Sequence, residues 1–181
     1  LLDSLLEYRN KESFVSILES LEVVFQDTLA RKDFDSTLMI LKSLHHVRKT
    51  CMKETTWALP VIDNFYLTAS SSQSLQSLQA AWADVDAEQI DQIKKILLLL
   101  RPEAIHTLGG MLLQTSSLRL QKMLMQVIFS LASRDLKPLE AMLGRPEAEL
   151  VQKLVQVVGS LDGERPKQIL SKMVHHSSAR V

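Results

Sequence analysis

The five histidines fall as His45-His46, His106 and His175-His176. Imidazole is the commonest zinc ligand and the usual acid/base group near neutral pH, so their spacing is a first test for chemistry. Adjacent helical residues point about 100° apart, so neither pair offers the two nitrogens of an i, i+4 metal site on one face. They read as polar positions at helix ends. Cys51 is the only cysteine, which excludes an intrachain disulfide and a cysteine-built metal cage. It reads as a small buried apolar side chain, and it fits a reducing, cytoplasmic setting.

Other side chains with chemical potential have simpler uses. Asp33/Asp35 and Asp84/Asp86 could form acid/base pairs, but each stands just before an apolar-periodic stretch, where a carboxylate accepts from the free N–H groups of a first helical turn. No glycine-rich phosphate cradle and no G-x-S-x-G elbow is spelled out. Gly109-Gly110 lies inside a helical pattern and marks either the close approach of a neighbouring helix or a break. Trp57 and Trp82 read as core residues. Nothing points to a catalytic residue, a metal or a cofactor.

The elements that would position any site are helices. Hydrophobic residues make up 46% of the 181, with only 5% aromatic, five Gly and five Pro, a mixture that suits helices better than sheets. Apolar residues at Phe14, Ile17, Leu18, Leu21, Val24, Phe25 and Leu29 recur every three or four positions, which predicts a helix over residues 12–31. Asp33 or Asp35 caps the next, with Leu38, Leu41, Leu44, Val47 and Cys51 on its stripe. Pro60 either sits in a first turn or kinks its helix. The polar run at residues 70–74 caps a helix carrying Leu75, Leu78 and Trp82, and Asp84 and Asp86 open one with Ile90, Ile93, Leu97 and Leu100. No strand pattern occurs.

Twenty-one basic residues balance twenty-one acidic ones, so the chain lacks the overall field that draws proteins to nucleic acid or acidic lipid. The charge is uneven: residues 1–100 carry 14 acidic and 10 basic groups, and residues 101–181 carry 7 and 11. No apolar run approaches the roughly 20 residues that span a bilayer. The chain begins without Met and is expected to be part of a longer protein.

"RPEA" occurs at residues 101–104 and 145–148, but the 44-residue shift that superposes the copies sets "IHTLGGMLL" against "ELVQKLVQV" with no identities. The tetrapeptide reads as helix punctuation used twice, with Pro and Glu opening a first turn. A shift of 30 residues does better: "LQKMLMQVIFSL" at residues 120–131 falls on "LVQKLVQVVGSL" at 150–161 with six identities in twelve. The same shift sets "LEAMLG", from Leu139, on "ILSKMV", from Ile169. The unit is helix, turn, helix in about 30 residues.

On these segments, and on the closing "RPKQILSKMVHHSSARV", residues 102–181 resemble HEAT-type repeats of the short, phycobilisome-lyase-like kind. The resemblance implies an all-α, α-α superhelix of antiparallel helix pairs, an armadillo-type solenoid. Residues 102–181 would be the repeats, the last one truncated, and residues 1–101 irregular hairpins continuing one stack. The pattern departs where Ser116-Ser117 and Ser177-Ser178 replace the family's Asp, and where Glu149 stands in the place of Arg119 and Arg180. The Asp/Arg ladder of the family is therefore not carried over.

The resemblance also implies docking on a concave surface lined by successive second helices. With Leu120, Leu124, Val127, Ile128 and Leu131 turned inward, the opposite side shows Arg119, Lys122 and Gln126, and the next copy Gln152, Lys153 and Gln156. These six are the candidate partner-binding residues. Met125 and Phe129 lie on that side too, either packing on the adjacent repeat or forming an apolar contact spot. The expected function is a noncatalytic scaffold that binds another protein or another part of a longer chain. Nucleic-acid binding by the basic second half, as in HEAT-like DNA glycosylases, is the alternative, and an enzyme ranks third.

Overall fold

A computed structural model describes residues 11–80, 82 and 85–174, and among them every regular element is helical. No described helix is long and apolar enough to cross a membrane. The chain divides into two compact units, Leu1–Arg101 and Pro102–Val181.

In the first unit α1 (Lys11–Ala30) and α2 (Phe34–Glu54) are joined by a tight turn. Lys32 takes φ 61° there, a left-handed conformation that an L-residue adopts at some cost. Asp33 is the cap: its carboxylate accepts from Ser36 N at 3.1 Å, and these hydrogen bonds hold its pKa below the usual carboxylate range. Asp35 instead accepts from Gln92 Nε2 at 2.7 Å. Across the turn Thr28 accepts from Thr37 Oγ1 at 2.9 Å and donates to the Phe25 carbonyl. Both hydroxyls are buried and satisfied, as burial requires.

The stripe from Leu38 to Cys51 is buried throughout. On α1 the stripe is narrower than the periodicity predicts. Phe14, Leu18, Leu21, Phe25 and Leu29 are buried, but Val24 is 45% exposed beside Val23 at 70%. Val24 is 100° from Phe25, on the side of α1 that the helices packed on it leave open.

A 3₁₀ turn (Thr56–Ala58) leads to α3 (Leu59–Ala69), where Pro60 sits in the first turn, and to α4 (Ser72–Ala80). Both α3 and α4 pack on α1. Phe65 meets Phe25 edge-on at 5.5 Å, and Trp57 meets Phe14 at 5.3 Å. Ser71 Oγ accepts from Ser74 N at 3.4 Å at the start of α4, and buried Ser74 accepts from Gln26 Nε2 and donates to the Thr68 carbonyl. Tyr66 donates to the Leu41 carbonyl at 3.2 Å, and burial pushes its pKa up to about 12. Asp63 draws in Arg48 at 2.9 Å and Arg101 at 3.7 Å. Trp82 is buried, and its Nε1–H has no hydrogen-bond partner among the described residues.

The last helix of the unit, α5 (Ala87–Leu99), begins with a capping box: Asp86 accepts from Gln89 N while Gln89 accepts from Asp86 N. Asp84 lies outside the described residues. α5 passes over α3 and α4 in sequence and packs on α2, burying Ile93, Ile96, Leu97 and Leu100.

The second unit opens with a 3₁₀ turn (Pro102–Ala104) and α6 (Ile105–Gln114), followed by α7 (Leu118–Ala132), α8 (Lys137–Leu143), α9 (Ala148–Gly159) and α10 (Glu164–Val174). Each helix packs on its successor, α6 also on α8, α7 on α9, and α6 on α9. Gly109 lies where α6, α8 and α9 converge. A Cβ there would overlap Met142 Cε of α8 and lie 3.5 Å from Leu150 Cδ1 of α9. Close approach, not a break, explains this glycine.

The two "RPEA" segments behave differently. Pro102 opens the 3₁₀ turn that feeds α6, whereas Pro146 lies in the turn before Glu147, the cap of α9, and outside the helix. The four letters do not fix a helical position. Burial of the adjoining residues decides it, because Ala104-Ile105 continues into a buried face whereas Ala148-Glu149 stays exposed.

Candidate functional site

The surface predicted for partner binding lies on α7 and α9. Ser117 caps α7 by accepting from Leu120 N, and Gln121 Nε2 donates to the Thr115 carbonyl at 2.7 Å, closing the turn from α6. The period then sorts the side chains. Leu120, Met123, Leu124, Val127, Ile128 and Leu131 are buried, and Arg119, Lys122 and Gln126 are exposed. On α9 Leu150, Val151, Leu154, Val157 and Val158 are buried, with Gln152 and Gln156 exposed.

Ser130 Oγ donates to the Gln126 carbonyl at 3.0 Å, and Ser160 Oγ to the Gln156 carbonyl at 3.0 Å. Ser77 Oγ donates to the Gln73 carbonyl in the same way in the first unit, so the bond is ordinary helical back-bonding. What the 30-residue shift sets together is the two helices, which pack on each other. The exposed Gln152 and Gln156 amides offer both donors and acceptors. Arg119 and Lys122 make no ion pair among the described residues.

Lys153 differs from the other five. Its side chain is only 19% exposed, and Nζ lies 2.8 Å from Glu149 Oε1. The i, i+4 spacing of Glu149 and Lys153 was a readable signal for that pair. The open cations of this surface are therefore confined to α7. Phe129 is 37% exposed and Met125 half-buried, so an apolar spot lies beside them.

Sequence reasoning missed a second surface, on α1. Glu19, Glu22, Val23 and Gln26 line an open cavity of about 200 Å³, with exposed Val23 at its rim. The available signal was charge: residues 12–30 contain Glu12, Glu19, Glu22 and Asp27 and no Lys or Arg. Asp27 pairs with Arg31, whereas Glu19 and Glu22 make no ion pair among the described residues.

His45, His46 and His106 are exposed and Cys51 is buried; His175-His176, Ser177-Ser178 and Arg180 lie outside the described residues. Among the described residues no three or more His, Cys, Asp or Glu side chains gather as a metal site. Comparison with known proteins finds no similar protein-family model, curated protein or solved structure.

Proposed function

We propose that this chain is a noncatalytic HEAT-like helical-repeat scaffold whose α7–α9 face binds another protein or another part of a longer chain. The reading carries with it a superhelical stack of helix pairs, continued by residues 1–101, and a cytoplasmic setting where Cys51 stays a thiol. The observation that carries it is the packing of α7 on α9, thirty residues apart in sequence, with Gln126 and Gln156 exposed at matching positions. A successor-on-successor order with α6 on α8 and α7 on α9 supports the stack, since repeat arrays pack chiefly on their neighbours.

The face carries the Gln152 and Gln156 amides for peptide or carboxylate groups, two open cations on α7, and Phe129 with Met125 as an apolar spot. An acidic protein segment with one apolar anchor suits it. The alternative, nucleic acid, draws on α7 alone, which bears Arg119 and Lys122 and no carboxylate.

Affinity capture from cell extract with the whole chain as bait tests this, beside a variant carrying Arg119→Glu and Lys122→Glu, with and without nuclease. Lys153 stays unchanged, since glutamate there would place a second carboxylate against Glu149. A protein captured by the parent, lost with the variant and indifferent to nuclease supports the reading. Capture abolished by nuclease favours nucleic acid, for which affinity should also fall steeply with salt. Capture indifferent to the substitutions overturns the choice of face.

A further inference from the structure

Two helix faces of this chain have opposite character. The outer side of α1 carries Glu19 and Glu22, with Val23 and Val24 exposed just beyond them. The outer side of α7 carries Arg119 and Lys122, followed by half-buried Met125 and part-exposed Phe129. Neither the two carboxylates nor the two cations are compensated by an ion pair among the described residues. Exposed valines on a helix outside the core mark a contact surface when charge of one sign surrounds them.

The spacing matches as well as the sign. Glu19 to Glu22 and Arg119 to Lys122 are both three residues, about 4.5 Å along a helix axis. In both helices the apolar residues come next on the C-terminal side. A parallel alignment sets Glu19 against Arg119 and Glu22 against Lys122, and brings Val23 towards Met125. The cavity lined by Glu19, Glu22, Val23 and Gln26 takes the aliphatic stem of Lys122, with its ammonium between the carboxylates.

We infer that the α1 face of one copy docks on the α7 face of a second copy of this chain. The inference rests on the reading of α7 as a docking surface and names one partner for it. The contact joins unlike faces. Reciprocated, it closes a two-fold dimer, and unreciprocated, it runs on as an open chain. One helix face on another is small beside the interfaces of stable complexes, so the association is weak, concentration-dependent and screened by salt.

Charge exchange in the full-length chain tests it, with mass measured by sedimentation across a concentration series at low salt. The parent should rise above the 20.5 kDa of one chain and fall back in about 0.5 M salt. A Glu19→Lys/Glu22→Lys variant and an Arg119→Glu/Lys122→Glu variant should each lose association by about tenfold or more. Mixing the two should restore it, as should all four substitutions in one chain, which a misfolded variant could not do. A parent that keeps the mass of one chain at all concentrations overturns the inference and leaves the scaffold reading to affinity capture. Association without rescue by mixing overturns it equally. Foreign-protein capture that ignores the α7 substitutions overturns the scaffold reading while self-association stands.

Discussion

The two units solve the burial of apolar stripes in different ways. In the first, the most extensive packing joins α2 to α5, with α3 and α4 lying between them in sequence, while α3 and α4 cover α1. In the second, helices pack chiefly on sequence neighbours and next neighbours. Where packing is local, one pattern can be copied, and the copy is visible as a 30-residue shift. Where it is long-range, each helix meets a different environment, and no shift survives. Stability in the second unit should follow a sum over neighbours, and in the first a single cooperative core.

The largest expected effect tests that contrast directly. Phe25→Ala removes a fully buried ring that meets Phe65 and should cost about 3–5 kcal/mol. Amide exchange should quicken across α1 to α5 together. Ile169→Ala, in α10, removes a buried side chain from a helix that packs chiefly on α9. Exchange there should quicken in α10 while α6 and α7 stay protected. Uniform loss of protection through the second unit would break the comparison.

Gly109→Val is the next test. Its branches would enter the space of Met142 Cε and Leu150 Cδ1, and overpacking of this kind costs about 1–3 kcal/mol. Adding Met142→Ala should return part of that loss in thermal melts, because the methionine is the flexible partner. The same valine at Gly110, which has open space around it, should be close to neutral.

Alkaline pH probes the first unit. Tyr66 titrates near about 12, chiefly because it is buried, with Arg48 opposing and Asp63 adding to the rise. The folded state therefore holds the phenolic proton more tightly than the unfolded chain, whose tyrosines titrate near ~10. That contribution, on the order of 2 kcal/mol, is complete below pH ~10 and is lost as pH rises towards about 12. Denaturant titrations monitored by circular dichroism should show this slope, and Tyr66→Phe should flatten it. The smallest expected change is Asp86→Ala, which removes the α5 capping box at about 1 kcal/mol.

What the sequence disclosed obeys the same division. Periodicity identified the faces from Leu38 to Cys51 and from Leu120 to Leu131, because a stripe reports burial whatever covers it. Asp86 announced a helix start, and Gly109 either a close neighbour or a break, of which the structure has the first. Periodicity could not say that α5 covers α2, since the choice of partner depends on chain reversals far away in sequence. It also put Val24 inside, because spacing gives the centre of a stripe better than its width. At the candidate surface it separated exposed from buried for five of the six residues, Lys153 being only 19% exposed, and the pairing of Lys153 with Glu149 depended on reading along the helix for charge as well as for hydropathy.

The burial of Trp82 and the seating of Trp57 against Phe14 have an optical consequence. Both tryptophans and both tyrosines lie in residues 1–101, and residues 102–181 contain neither. Intrinsic fluorescence is a private channel for the first unit. A blue-shifted emission from dry Trp82 should redden when that unit opens and stay silent when only α6 to α10 melt. A single tryptophan introduced at the rim of α10 would give the second unit its own colour.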